Sequence, residues 1–352
     1  MSFVYNRQPT ESSQNICGSN IPVVPDRDHA SAGEVISSLA RAAATETPSL
    51  PNEIRLLSRT YKELEVMLDP NTKCMWCYQR PKGPPSFTPN MVCELIGLRR
   101  AIQAMTASQG PNAERPIRSY ILASHIPGIY NLGGDLSFLA GAIRQRNREM
   151  IRLYAYDCVD VVYHIATGFE CGIVTVGLVQ GDALGGGLEA ALCCNFVVAE
   201  RGVKMGVPEI LFSMFPGMGA YSLLSRRVGS AIAERIIFSG RIYGADEMYD
   251  LGVVDLVVER GSGEDAVREY VGDARKHGAR QSIYRARQRA NPLTLAELRD
   301  ITDMWVETAM GLTETDLRRM SHLQSAQDRR LRREAVVHSR SEVPSPLPGT
   351  QR

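Results

Sequence analysis

Through the middle of the chain, short apolar runs with a period of two, or with almost no polar face, alternate with longer stretches of period near 3.6. Tyr61–Leu68 and Met75–Tyr78 are alternating runs on either side of Asp69-Pro70-Asn71-Thr72. Turn-forming residues between two such runs predict a hairpin. Tyr120–Ser124, Ile173–Val179 and Phe196–Ala199 predict strands, the second nearly all apolar and so expected to be covered on both faces. Leu136–Tyr163 carries the helical period of one or more amphipathic helices, and Leu188–Leu192 opens another. This alternation, from about Glu53 to Val258, predicts an α/β domain with helices packed on sheets.

The two ends of the chain read differently. Residues 1–52 are rich in Ser, Pro, Asn, Asp and Thr around one Ala-rich helical stretch, Ala32–Ala44, and predict a mobile arm. Residues 53–264 form the predicted catalytic core. Residues 265–334 are helical and charged, interrupted at Asn291-Pro292, and residues 335–352, with several prolines, predict a disordered tail.

Composition narrows the function classes. Forty basic against thirty-nine acidic residues give a net charge of +1, so no global field argues for nucleic acid or an anionic membrane. No apolar run reaches the roughly 18–20 residues that cross a bilayer, so membrane insertion is not expected. The N-terminus lacks the basic-then-apolar pattern of a secretory signal. Eight cysteines in 352 residues do not suggest a disulfide scaffold, and a cytoplasmic protein with reduced thiols is expected. Cys74-Met-Trp-Cys77 has no second pair or histidine cluster to complete a zinc site, so strand packing is the expected role and no metal is expected.

Two glycine-rich segments carry the chemistry. Gly181-Asp-Ala-Leu-Gly-Gly-Gly-Leu-Glu189 and Val207-Pro-Glu209, running on to Gly219, each follow an apolar run and each deliver one glutamate. The first is neither a Walker loop nor a dinucleotide turn. Taken alone, it can simply be a tight turn that lets a helix pack on a sheet. Glu189 alone can be a carboxylate favoured by a helix N-terminus, and Glu209 alone a solvated loop carboxylate. A second turn, Asn131-Leu-Gly133-Gly134-Asp135, also follows a strand and precedes a helix. Two such turns can aim two N–H groups at one oxygen, and two glutamates beside them supply proton acceptor and donor. Leu211, Phe212 and Phe215 around Glu209 would raise its pKa. Asp135 is expected to cap the following helix, and His125 and His164 to be structural imidazoles. Arg144, Arg146, Arg148 and Arg152 form a basic helix face, either a solvated surface or a dock for an acidic carrier or regulatory partner.

The segments Asn131–Leu139, Tyr154–His164, Leu178–Leu192, Lys204–Arg227, Asn291–Leu298 and Trp305–Met320 together resemble the enoyl-CoA hydratase (crotonase) superfamily. The closer likeness is to the RpfF-type diffusible-signal-factor synthases, which make cis-2-unsaturated fatty acid signals. The resemblance implies a crotonase-like spiral of ββα units with a helical C-terminal region. It implies Glu189 and Glu209 as the acid/base pair, and Gly134 (or, one residue earlier, Gly133) with Gly186 as oxyanion-hole donors. Met218 and Trp305 become acyl-pocket candidates, although core packing is the plainer reading of Trp305. The implied reaction is dehydration of a 3-hydroxyacyl thioester carried on acyl carrier protein, then hydrolysis to the free acid. No bound cofactor is implied, the acyl group riding on the phosphopantetheine of acyl carrier protein or CoA. Self-association to a trimer or hexamer and binding of a sensor-kinase regulatory domain are also implied. Two alternatives stay open: an enoyl-CoA hydratase of fatty acid oxidation, and a non-catalytic scaffold that binds a sensor. Leu136-Ser137 lacks the lysine often found near this turn in CoA-using relatives.

Overall fold

A computed structural model of the chain describes residues 61–108 and 115–325. The arm over 1–52, with its Ala-rich stretch, and the tail over 335–352 lie outside the described residues. The predicted hairpin forms: β1 (Leu64–Asp69) pairs antiparallel with β2 (Cys74–Gln79), and Asp69 accepts from the backbone of Asn71 at 2.9 Å to close the turn. Helix α1 (Pro89–Ala107) follows, with Pro89 at its first position and the Thr88 hydroxyl capping the Met91 N–H.

The chain then winds through a repeating path. Strand β3 (Ser119–Ser124) joins a six-stranded sheet, β4 (Ile129–Asn131) joins a four-stranded one, and helices α2 (Leu136–Arg144) and α3 (Arg148–Ala166) follow. The next turn repeats this with β5 (Val174–Val179), β6 (Asp182–Leu184) and α4 (Gly186–Leu192). A third places β7 (Phe196–Glu200) and β8 (Lys204–Gly206) before a short 3₁₀ turn (Pro208–Phe212), α5 (Ala220–Val228) and α6 (Ser230–Ser239). Strand β9 (Tyr243–Gly244), α7 (Ala245–Asp250) and β10 (Leu256–Val258) complete the sheets. Their orders are β1-β2-β3-β5-β7-β10 and β4-β6-β8-β9, with β2-β3-β5-β7-β10 and β4-β6-β8 parallel. This is the expected spiral of ββα units.

Side-chain alternation decides what each face of the large sheet meets. Trp76, Tyr78, Val176 and Leu178 point to one side, under α8 (Gly263–Gly272), while Met75 and Cys77 join the main core. Each such fully buried apolar side chain stabilises the fold by roughly 1.5–3 kcal/mol before entropy is counted. The described C-terminal region is helical: α8, α9 (Ala274–Ala290), α10 (Leu295–Met310) and a further helix over 314–325. In α10, Leu298, Thr302, Trp305, Val306 and Ala309 are buried at spacings of one, three and four, one face of a helix laid across α3. Among the described residues, Cys74, Cys77, Cys158, Cys171, Cys193 and Cys194 are free thiols. Among the described residues, no helix is long and apolar enough to cross a membrane.

Candidate active site

The two glycine turns meet at the ends of β4 and β6. A methyl group placed on Gly186 would lie 3.4 Å from the Gly134 nitrogen, so the two amides are neighbours. Peptide planarity fixes where each N–H points, because in a trans peptide it lies opposite its own carbonyl. The Gly133 carbonyl accepts from Phe87 N–H at 2.7 Å, which turns the Gly134 N–H the other way. The Gly185 carbonyl accepts from Leu188 and Glu189 N–H as α4 begins, which likewise turns the Gly186 N–H outward. Among the described residues, neither N–H donates to a carbonyl or side chain. Gly133 N–H, by contrast, is already engaged by the Asn131 side chain at 2.7 Å. Gly134, not Gly133, is therefore the available donor.

Each glutamate sits beside this pair of amides. Glu189 lies in the first turn of α4, and one of its carboxylate oxygens accepts from Met218 N–H and Ala220 N–H, both at 2.8 Å. Burial pushes its pKa up to about 7, while the two backbone N–H groups pull the other way. Glu209 stands on the 3₁₀ turn, and a methyl on Gly185 would come within 2.5 Å of its Oε1. Its Oε2 is buried and has no hydrogen-bond partner. Burial, and then the nearby Glu189 charge, push Glu209 up to about 8. Both pKa values are raised by burial, and the two carboxyls titrate as a coupled pair.

Both carboxylates and both amides face one cavity of about 320 Å³. Its walls are mostly apolar. Met218 lies directly over Gly186, its sulfur 2.5 Å from where a Cβ would stand. Trp305 lays its indole against Gly217, leaving no room for a side chain there, and so backs the loop whose N–H groups hold Glu189. Both acyl-pocket candidates line the cavity, joined by Ala309, Met320 and Leu323 from the C-terminal helices.

The enoyl-CoA hydratase/isomerase family model matches residues 79–294, more than half of the chain. The chain belongs to this family. It is 32% identical over 212 residues to a probable enoyl-CoA hydratase of Rhizobium meliloti, covering 58% of this chain and 80% of that protein. It is 30% identical over 187 residues to the mitochondrial methylglutaconyl-CoA hydratase of Rattus norvegicus, covering 53% of this chain and 54% of that protein. The chain spans about half the length of the first such relatives it matches. Among solved structures, an enoyl-CoA hydratase from Bacillus halodurans aligns with a TM-score of 0.60 at 20% identity, over 74% of this chain and 98% of that one. Pseudomonas aeruginosa DspI aligns with a TM-score of 0.54 at 24% identity, over 65% of this chain and 89% of that one. At these identities the structural likeness shows the crotonase fold alone.

Several smaller expectations meet the structure within this family frame. Asp135 caps α2, accepting from Phe138 N–H at 3.0 Å. His164 is buried, within 2.8 Å of an Arg99 nitrogen, and His125 stacks on Tyr78 at 3.9 Å, both away from the cavity. Cys74 and Cys77 are buried in β2, where burial pushes each thiol up to about 12. Leu211 and Phe212 line the same cavity as Glu209, Leu211 half exposed at 52% and Phe212 buried, and Gly185 packs against the Glu209 carboxylate. The arginines of the basic helix face, partly exposed as a solvated surface would be, each have a partner. Arg144 pairs with Glu314 at 3.0 Å, Arg148 with Glu307, and Arg152 with Glu149 at 2.7 Å, while Arg146 donates to the Met310 carbonyl at 2.9 Å. Three of these contacts clasp the C-terminal helices. Tyr154 and Cys158 line the cavity without having been singled out. Their spacing on the buried face of α3 was the available signal, and it marks an inward face rather than a role.

Proposed function

We propose that this chain adds water to, or removes it from, the C2–C3 bond of an acyl thioester. The observation that carries the reading is the pair of carboxylates, Glu189 buried and Glu209 with one buried oxygen, beside two neighbouring unengaged N–H groups in one cavity. The thioester oxygen takes the hydrogen bonds of Gly134 and Gly186, each worth roughly 3–4 kcal/mol as the enolate forms. Glu189 takes a proton from water, the oxygen of that water bonds to C3, and the C2–C3 electron pair moves onto the thioester oxygen. Glu209 then returns the enolate to the thioester by protonating C2. Dehydration is the reverse: Glu209 removes the C2 proton and Glu189 protonates the departing hydroxyl. The names of the curated relatives favour this hydratase reading. Incubation with crotonyl-CoA tests it. Loss of enoyl absorbance with formation of 3-hydroxybutyryl-CoA is expected, and no change with either this or longer enoyl thioesters would overturn it.

A second, finer reading is favoured by one observation. Trp305, Ala309, Met320 and Leu323, which wall the cavity, all lie beyond the matched residues 79–294. A cavity finished by the chain's own C-terminal helices suits a particular long acyl group. In this reading a 3-hydroxyacyl carrier-protein thioester is dehydrated and then hydrolysed to a cis-2-unsaturated fatty acid. A cavity glutamate takes a proton from water as the water oxygen adds to the thioester carbonyl, the oxyanion uses the same two N–H groups, and its collapse breaks the C–S bond while the glutamate returns the proton to the departing thiol. Free thiol and unsaturated acid should appear in equal amounts. Accumulation of enoyl thioester with no thiol released would leave a simple dehydratase.

A further inference from the structure

The Gly134 amide is held in place by partners of its own turn, among them Tyr154, whose ring also lines the cavity. Three backbone groups of its turn are tied down. Gly133 N–H donates to Asn131 Oδ1 at 2.7 Å, the Gly133 carbonyl accepts from Phe87 N–H at 2.7 Å, and Asp135 N–H donates to the Tyr154 hydroxyl at 3.3 Å. The Tyr154 hydroxyl in turn donates to the Phe87 carbonyl at 2.5 Å, so one phenol joins both strands of the clamp. Behind Asn131 stands Gln79, whose Oε1 accepts from Asn131 Nδ2 at 2.7 Å and whose own amide donates to the Ala123 carbonyl at 3.4 Å. Asn131, Gln79 and Tyr154 are all buried, so each broken bond would strand a polar group out of water. The peptide groups on both sides of the Gly134 N–H are thus anchored, and that N–H donates to no carbonyl or side chain among the described residues.

We infer that Asn131, braced by Gln79, and Tyr154 are positioning residues that aim the Gly134 N–H at the thioester oxygen. This rests on the hydratase reading above for its effect on rate, but not for its effect on the amide. A glycine in a left-handed turn is free to swing (Gly133 has φ +96°), and a donor displaced by about 1 Å loses roughly 100-fold in rate. Tyr154→Phe removes one oxygen and nothing else. Asn131→Ala removes the other anchor.

Selective labelling makes the amide visible. In a protein carrying both ¹³C-carbonyl and ¹⁵N glycine, only Gly-Gly peptides join the two labels, and the sequence has three: those whose N–H groups belong to Gly134, Gly186 and Gly187. In the full chain, Tyr154→Phe is expected to shift or broaden the Gly134 resonance while Gly186 and Gly187 stay in place. With crotonyl-CoA, kcat should fall about 10–100-fold, with KM within about threefold and the pH profile unmoved. Asn131→Ala should act on the same resonance, and if it does not fold, Tyr154→Phe decides alone. An unmoved Gly134 resonance in folded Tyr154→Phe overturns the inference, whatever happens to rate. Inactive wild-type protein with a displaced Gly134 resonance in the variant would instead refute the hydratase reading and keep the clamp.

Discussion

The two carboxylates are built to different standards of rigidity. Glu189 lies inside a regular helix, is 1% exposed, and has one oxygen tied to two backbone N–H groups of the 217–220 loop. That loop is itself pinned by Trp305 against Gly217 and by Leu298 against Gly219. Glu209 stands on a five-residue 3₁₀ turn, followed by exposed Ile210 and Leu211, with one carboxylate oxygen unpartnered. A group that exchanges its proton with water and the C3 hydroxyl must be held in register with that oxygen, and fixed donors do so. A group that passes a proton to and from carbon is better left without them, because donors would hold it ionised. The difference in support therefore matches the difference in proposed role.

The largest expected effect comes from erasing the distinction. Glu189→Gln and Glu209→Gln should each lower turnover at least about 100-fold in protein whose circular dichroism is unchanged. Wild-type-like rates in either variant would remove that glutamate from the mechanism. Gly185→Ala should approach the same loss without touching a carboxylate. The added methyl would come 2.5 Å from Glu209 Oε1, at a residue with φ +54°, so Glu209 must move. Retained activity would mean that its position is not critical.

The pH dependence sharpens the comparison further. Turnover needs one proton on the pair, so a bell is expected with limbs near 7 and 8, and each single Gln variant should lose one limb from its residual rate. Stability carries the same signature with a defined sign. Both carboxyls have pKa values raised on folding, so their contribution is fully present below about 4.5 and is lost as pH rises through about 8. Denaturant unfolding should show wild type losing stability steadily as pH rises over that range. Glu209→Gln should lose less; an equal slope would place the raised pKa elsewhere.

Trp305→Ala tests the support behind Glu189 and is expected to cost about 3–5 kcal/mol of stability, with poorer binding of long acyl thioesters. The smallest effect belongs to the surface clasp. Arg148→Ala should change stability by less than about 1 kcal/mol, since the Arg148 and Glu307 side chains are 48% and 61% exposed.

The sequence made the framework legible where the signal was local. The β1–β2 hairpin follows from alternation around Asp69–Thr72, and the strands of the large sheet from apolar runs of about six residues. Strands β4, β6 and β8, three residues each, are too short to show any period, so the second sheet was invisible. Within the site, both glutamates and both glycine turns stood out as local patterns. What aims the Gly134 N–H did not, because its anchor, Phe87, comes from a remote loop. Likewise Arg144 and Arg148 read as a free basic face because their partners, Glu314 and Glu307, lie more than 150 residues away.

The division of roles between the two glutamates is tested most directly by proton exchange at C2 of a thioester that cannot be hydrated. Butyryl-CoA incubated in D₂O with each protein, and followed by proton NMR, isolates the carbon step from the water step. Wild type and Glu189→Gln should both exchange the C2 protons, and Glu209→Gln should not. Exchange that survives in Glu209→Gln and disappears in Glu189→Gln would contradict the account.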